Sequence, residues 1–282
     1  MKKILLLLIA LFPVLFFSCK AKKTKPFSLD SIVHCSAFNE TWTGRTPTSD
    51  ESQEVESALS QPYRYLGGGG QCYAFVSEDG QYVVKFLKKK LFEMPSWMEY
   101  FPFKEKKVHK KQQRKHQVFS AFQNSFNDLS SETGILYVHW NASDHLNTPL
   151  SFCNEDGKVH MLAMNNLSFV VQKKAELATA RIDTLIQQKN SEGAQAAIDK
   201  LLQLHVTLSQ KGYRNRDPNF RSNYGFVEDK AVIFDVGRIV ASSSSLPKNK
   251  QLKALPRFKK YLVSNHPELL SYFDSRCEQI LE

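Results

Sequence analysis

Two carboxylates are placed to do chemistry together. Asp217 lies in a polar, turn-rich stretch with Arg216, Pro218, Asn219 and Asn223, while Asp235 follows the apolar run Ala231-Val232-Ile233-Phe234 and is closed off by Gly237. Four apolar residues bounded by turn formers read as a short buried strand, whose end lets an acidic side chain face a cleft. A loop carboxylate and a strand-end carboxylate with an amide between them suit phosphoryl transfer. One positions the attacking hydroxyl, and the other joins the amide in holding a divalent metal on the phosphates. The plain alternative is that Asp, Asn and Gly here only make turns.

The elements that must position these groups lie on both sides of them. Tyr65-Leu66 leads into Gly67, Gly68, Gly69 and Gly70, then Gln71-Cys72 and Tyr73-Ala74-Phe75-Val76, a turn at Glu78-Asp79-Gly80, and Tyr82 to Leu87. This reads as strand, glycine turn, strand, tight hairpin, strand. Four glycines cost entropy inside a strand and make sense where backbone approaches a ligand closely. Lys85, among Val83, Val84, Phe86 and Leu87, is either an edge-strand gatekeeper or a paired, functional charge. The pattern then predicts a long helix over 103–129, strands at 135–138, 159–164 and 167–172, and helices at 175–188 and 194–210. Two further helices are expected near 251–263 and 267–281. His205 reads as a packed core histidine. The first half of the long helix is basic, with Lys104, Lys106, Lys107, Lys110, Lys111, Arg114 and Lys115. A solvated face is the plain reading, and an acidic partner or lipid surface the sharper one. No RNA-binding aromatic signature accompanies the run, so nucleic acid is not an expected partner.

The chain has 282 residues, a net charge of +10 and 42% hydrophobic content, enough for one large domain or two lobes. Met1-Lys2-Lys3, an apolar run over 4–17 and Ser18-Cys19 read as a signal peptide over 1–18. Phe16-Phe17-Ser18-Cys19 resembles a bacterial lipobox, which would make Cys19 the lipid attachment site. The chain is then expected to be an exported, membrane-anchored lipoprotein, otherwise periplasmic or secreted. Residues 19–60, rich in Lys, Ser, Thr and Glu, are expected to be a flexible tether. Cys35, Cys72, Cys153 and Cys277 show no C-x-x-C spacing. They read as buried free thiols, with three disulfide pairings as the alternative.

This order of parts resembles the protein kinase-like superfamily, in a small, divergent form, over roughly residues 63–262. Leu66 to Phe75 looks like the family's L-G-x-G-x-x-G-x-A/V-F/V loop, with Cys72 in place of the third glycine. Val83-Val84-Lys85 is similar to the V-A-x-K strand, Asn215-Arg216-Asp217 stands for His-Arg-Asp, and Asp235-Val236-Gly237 for Asp-Phe-Gly. The resemblance implies an α+β, bilobal fold: an antiparallel-sheet N-lobe with one long helix over 61–172, and a short, mostly helical C-lobe over 173–282. It implies ATP with Mg²⁺ or Mn²⁺, the phosphates lying under Gly67, Gly68, Gly69 and Gly70 and held by Lys85. Glu105 has about the separation of the glutamate that pairs with that lysine, and the base would lie near Val171 and Lys173. Asp217 would be the catalytic residue that takes the acceptor's proton, and Asp235 with Asn223 would hold metal. The amide's usual place, five residues after the catalytic Asp, is taken by Ser222, which is the other candidate ligand. No A-P-E motif follows. The expected activity is transfer of a phosphoryl group to a protein or small-molecule hydroxyl. The alternative is a pseudokinase that binds nucleotide or docks a partner without catalysis.

Overall fold

Every second residue of the strand Tyr82–Leu87 faces the same way, so Val84 and Phe86 point to one side and Val83, Lys85 and Leu87 to the other. A computed structural model describes residues 27–35, 38–93, 104–146, 148–242 and 255–281. Its first half is a seven-stranded sheet of β1 (Tyr63–Gly68), β2 (Cys72–Ser77), β3 (Tyr82–Leu87), β4 (Ile135–His139), β5 (Leu150–Cys153), β6 (Val159–Leu162) and β7 (Phe169–Lys173). The order is β4-β7-β3-β2-β1-β5-β6. All pairings are antiparallel except β1 with β5, an addition the sequence pattern did not suggest. A register shift between Tyr65 and Gly67 makes a bulge at Leu66, which is left exposed.

Helix α1 (Ser49–Leu59) buries Val55 and Ala58 against one face of this sheet, alongside Phe75, Phe86, Phe152, Phe169 and Val171. The helix opens with a reciprocal capping box between Thr48 and Glu51. The opposite face meets α2 (Lys104–Asp128), followed by the short α3 (Ser130–Thr133). Helix α2 buries Val118, Phe119, Ala121, Phe122 and Phe126, all in its second half. Its first half stands in solvent, and Lys111 alone of the basic run donates to backbone carbonyls, those of Lys90 and Glu93, among the described residues.

The second half holds α4 (Ala178–Gln187), α5 (Ser191–Gln210), α6 (Leu255–Asn265) and α7 (Leu270–Leu281) around one continuous core. Two small sheets link its loops. One orders β11 (Lys230–Ile233), β10 (Tyr224–Val227) and β8 (Glu176–Leu177); the other pairs β12 (Ile239–Ala241) with β9 (Tyr213–Asn215). The expected α+β division into a sheet-rich half and a mostly helical half is what the structure has.

The tether expected over 19–60 is corrected for its described part. Phe27 is buried with its ring edge-on to Tyr73, Phe75 and Phe152 at 5.0–5.2 Å. The Val33 amide donates to Leu87 at 3.0 Å, and Ser168 donates to the Val33 carbonyl at 3.0 Å. A few long-range apolar contacts order a segment whose local composition is polar. The four cysteines Cys35, Cys72, Cys153 and Cys277 are free thiols, as read from the sequence, each part-buried. Residues 1–26, with the expected signal peptide and Cys19, lie outside the described residues.

Candidate functional site

The two carboxylate loops are brought together by backbone pairing. In the β9–β12 ladder Asn215 faces Ile239, and the Arg216 amide donates to the Arg238 carbonyl at 3.0 Å. The Asn223 carbonyl accepts from the amides of Phe234 at 3.0 Å and Asp235 at 3.5 Å. Asp217 is held by its own backbone: its amide donates to Asn215 Oδ1 at 2.9 Å and its carbonyl accepts from Asn223 Nδ2 at 2.8 Å. Both carboxylates therefore open onto one cleft of about 720 Å³ between the halves.

The roof of that cleft is Leu66, Gly69, Gly70 and Gln71, with Ala74 and Lys85 on neighbouring strands behind it. Lys85 Nζ donates to the Phe234 carbonyl at 2.6 Å, the residue before Asp235. Burial pushes the Lys85 ammonium below its ordinary pKa, while Cys72 and Asp235 pull it back up. Burial likewise pushes the Cys72 thiol up to about 12, so it stays protonated at neutral pH. Gln71 Nε2 reaches the Gly237 carbonyl at 3.3 Å. A Cβ on Gly237 would lie 1.7 Å from Gln71 Oε1, so the glycine of Asp235-Val236-Gly237 is what lets the two loops touch. Under the roof, buried Lys88 donates to the Gly69 carbonyl at 2.7 Å and lies 4.2 Å over the Tyr73 ring. Gly68 is pinned between Tyr65 and that ammonium, a Cβ there coming within 2.8 Å of the Tyr65 hydroxyl.

Of the residues singled out from the sequence, Gly69, Gly70, Lys85, Lys173, Asp217 and Asp235 line this one cleft. Gly67 and Gly68 close the β1 strand that carries the loop. Three expectations are corrected. Glu105 lies in the exposed first turn of α2, and the ammonium of Lys85 goes to a backbone carbonyl instead. From α2 the cleft is lined by Phe122 and the exposed Arg114. Val171 is wholly buried on the far face of the sheet, because strand side chains alternate; its neighbour Gln172 faces the cleft. Asn223 is buried with its amide spent on the Asp217 carbonyl and its Oδ1 accepting from Ser222 Oγ at 2.8 Å. Ser222 faces the cleft in its stead.

Gln71, Arg114, Gln172 and Arg238 were missed as cleft residues. Period-two alternation from Lys85 through its partner Val170 points to Gln172. Nothing in the sequence marks Arg114, exposed on α2, as a residue at the edge of the cleft. Among the described residues no three His, Cys, Asp or Glu side chains form a preformed metal cage. Asp235 with the Ser222 hydroxyl fits a small divalent cation that arrives on phosphates and keeps phosphate and water oxygens as its other ligands.

No protein-family model matches the chain, and no curated protein sequence does. Among solved structures the chain is similar to the bifunctional kinase-methyltransferase WbdD, at 16% identity over 77% of this chain and 46% of that one, with a TM-score of 0.37. It is similar to Rv3197 from Mycobacterium tuberculosis, solved with erythromycin, at 13% identity over 81% and 60% of the two chains, with a TM-score of 0.37. It is also similar to ROP2 from Toxoplasma gondii, described as having a protein-kinase fold and no enzymatic activity, at 11% identity over 72% and 63%, with a TM-score of 0.31. The chain spans less than half the length of the WbdD chain it matches. On the chain's own topology the fold is α+β, a sheet-rich half and a mostly helical half with the cleft between them.

Proposed function

We propose that this cleft binds a nucleoside triphosphate with Mg²⁺ or Mn²⁺ and transfers its terminal phosphoryl group to an acceptor hydroxyl. The observation that carries this reading is the convergence of a glycine loop, Lys85, Asp217 and Asp235 on one cleft. Gly69 and Gly70 offer backbone to the phosphates and Lys85 a buried positive charge, with Arg114 and Arg238 as further cations facing the same space. Asp235 and Ser222 would hold the metal, which when bound neutralises charge on the phosphates. Asp217 orients the acceptor hydroxyl and takes its proton as the new P–O bond forms and the diphosphate leaves. Such catalysis is positioning and charge neutralisation, with no covalent intermediate on the protein.

Thermal unfolding with and without ATP and Mg²⁺ or Mn²⁺ tests it. A ligand at about a hundred times its dissociation constant adds roughly 2.7 kcal/mol to the folded state. The stabilisation should need both components and vanish in Asp235→Ala; no shift in the wild type under any combination defeats the reading. A second reading, nucleotide binding without transfer, is favoured by the absence of a carboxylate partner for Lys85 among the described residues and by the inward turn of Asn223. It predicts the same shift with no turnover.

We propose further that the chain is exported and anchored through a lipid on Cys19, and that the basic half of α2 meets an acidic partner. No helix among the described residues is long and apolar enough to cross a membrane. Metabolic labelling with palmitate that persists in Cys19→Ser would rule out that anchor.

A further inference from the structure

Beside the cleft lies a second cavity of about 470 Å³, lined by Arg221, Ser222, Arg257, Lys260, Asp183 and Tyr261 among others. It adjoins the site already described. Ser222 lines both cavities, and Arg257, from α6, lies 3.5 Å from the Asp217 carboxylate. Its charge is unbalanced. Asp183 is its one acid among the described residues, and that carboxylate already accepts from the Tyr261 hydroxyl at 2.5 Å and faces His266 Nε2 at 2.6 Å. Among the described residues, neither Arg221 nor Lys260 pairs with a carboxylate, and the Arg221 guanidinium rests 6.0 Å over the Tyr261 ring.

We infer that this cavity seats an anionic group of the acceptor, a phosphate adjacent to the hydroxyl that Asp217 orients. The assignment rests on the phosphotransferase reading of the cleft and names its substrate class. Arg221 and Lys260 supply exposed positive charge in the same cavity as Arg257, and a guanidinium grips phosphate oxygens in pairs. Arg257 is shared. Its side chain is 68% exposed and that of Asp217 50%, so their single long contact is weakly held. An arriving phosphate competes for Arg257 and draws it off Asp217, leaving the carboxylate free to accept the hydroxyl's proton. Seating the anion and releasing the base are then one event. The reaction is otherwise unchanged: the acceptor oxygen bonds to the terminal phosphorus, the diphosphate leaves, and the proton goes to Asp217.

Calorimetric titration of the whole folded chain with glycerol 3-phosphate, with glycerol, and with phosphatidylglycerol vesicles tests this. Glycerol should not bind. The phosphate ester or the vesicle headgroup should bind, at least about tenfold more weakly in Arg221→Gln/Lys260→Gln and within about twofold of wild type in Lys85→Met. Which arm binds separates a free ester from a lipid source. Equal affinity in the double variant, loss in Lys85→Met, or no binding of either anion overturns the assignment. Should the double variant unfold, Arg257→Gln and the wild type's loss of affinity with added salt serve the same purpose, since a phosphate held by three exposed cations must weaken as they are screened. A nucleotide-induced thermal shift without anion binding removes this inference alone. Anion binding without a nucleotide shift removes the phosphotransferase reading instead.

Discussion

Along β3, Val84 and Phe86 enter a cluster of aromatic rings, whereas Lys85 between them ends against the carbonyl of Phe234. The same split recurs on β7, where Phe169 and Val171 face the rings and Gln172 faces the cleft. One side of the seven-stranded sheet is thus covered by Phe27, Phe75, Phe152 and α1. The other packs Leu87, Val138 and Val170 against α2, carries Lys85 and Gln172 at the cleft, and is bound to the second half through Lys85 and Gln71. Residues one step apart in sequence therefore serve different ends: a change on the ring side should alter folding, and one on the cleft side should alter binding or turnover.

The largest test of that division is Asp217→Asn. Loss of a positioned base costs about 10²- to 10⁴-fold in rate, so turnover should fall by that much while nucleotide binding and the melting temperature hold. A variant that keeps wild-type turnover breaks the assignment of chemistry to this side. Next is Phe27→Ala on the ring side. Truncating a buried phenylalanine costs about 3–5 kcal/mol, seen as a lower denaturation midpoint, with nucleotide affinity unchanged in the protein that remains folded. Lys85→Met should weaken nucleotide binding about tenfold, or about 1.4 kcal/mol. Its stability should not suffer, because burial already disfavours the ammonium. A large drop in melting temperature would blur the two sides into one.

The smallest effect concerns the helix that covers the rings. Hydrogen bonds from Arg45 hold the Glu51 carboxyl down to about 2 at the start of α1. An unfolded glutamate titrates near about 4.3. The folded value being the lower, this contribution is complete above that pH and is lost as pH falls toward 2. Solvent screening limits it to about 0.5–1 kcal/mol. Glu51→Gln should flatten the acid limb of the stability profile by that amount, and an unchanged limb would show that the pair contributes nothing.

Much of the site was legible because it is local. The glycine run, the lysine in an apolar strand and the acid at a strand end are each visible within a few residues, and their order identified the two halves. What was not legible depends on rotation and distant contact. Glu105 was chosen by separation along the chain, which says nothing about which side of α2 turns inward; the buried residues of that helix begin only at Val118. Val171 was chosen by proximity when parity with Lys85 favours Gln172. Asn223 and Ser222 differ by one place in a loop whose course is set by hydrogen bonds to Asp217. The order of residues 27–35 and 38–60 was missed because Phe27 and Val33 find their partners 46 or more residues away.

That early ordering has a consequence for reach. A leash running to residue 60 would let the domain roam more than 100 Å from an anchor at Cys19, at roughly 3.5 Å per extended residue. With Phe27 locked among Tyr73, Phe75 and Phe152, only the stretch from Cys19 to Phe27 is left to span the gap, on the order of 28 Å. Lipid attachment at Cys19 would therefore hold the sheet-rich half within about one domain diameter of the bilayer.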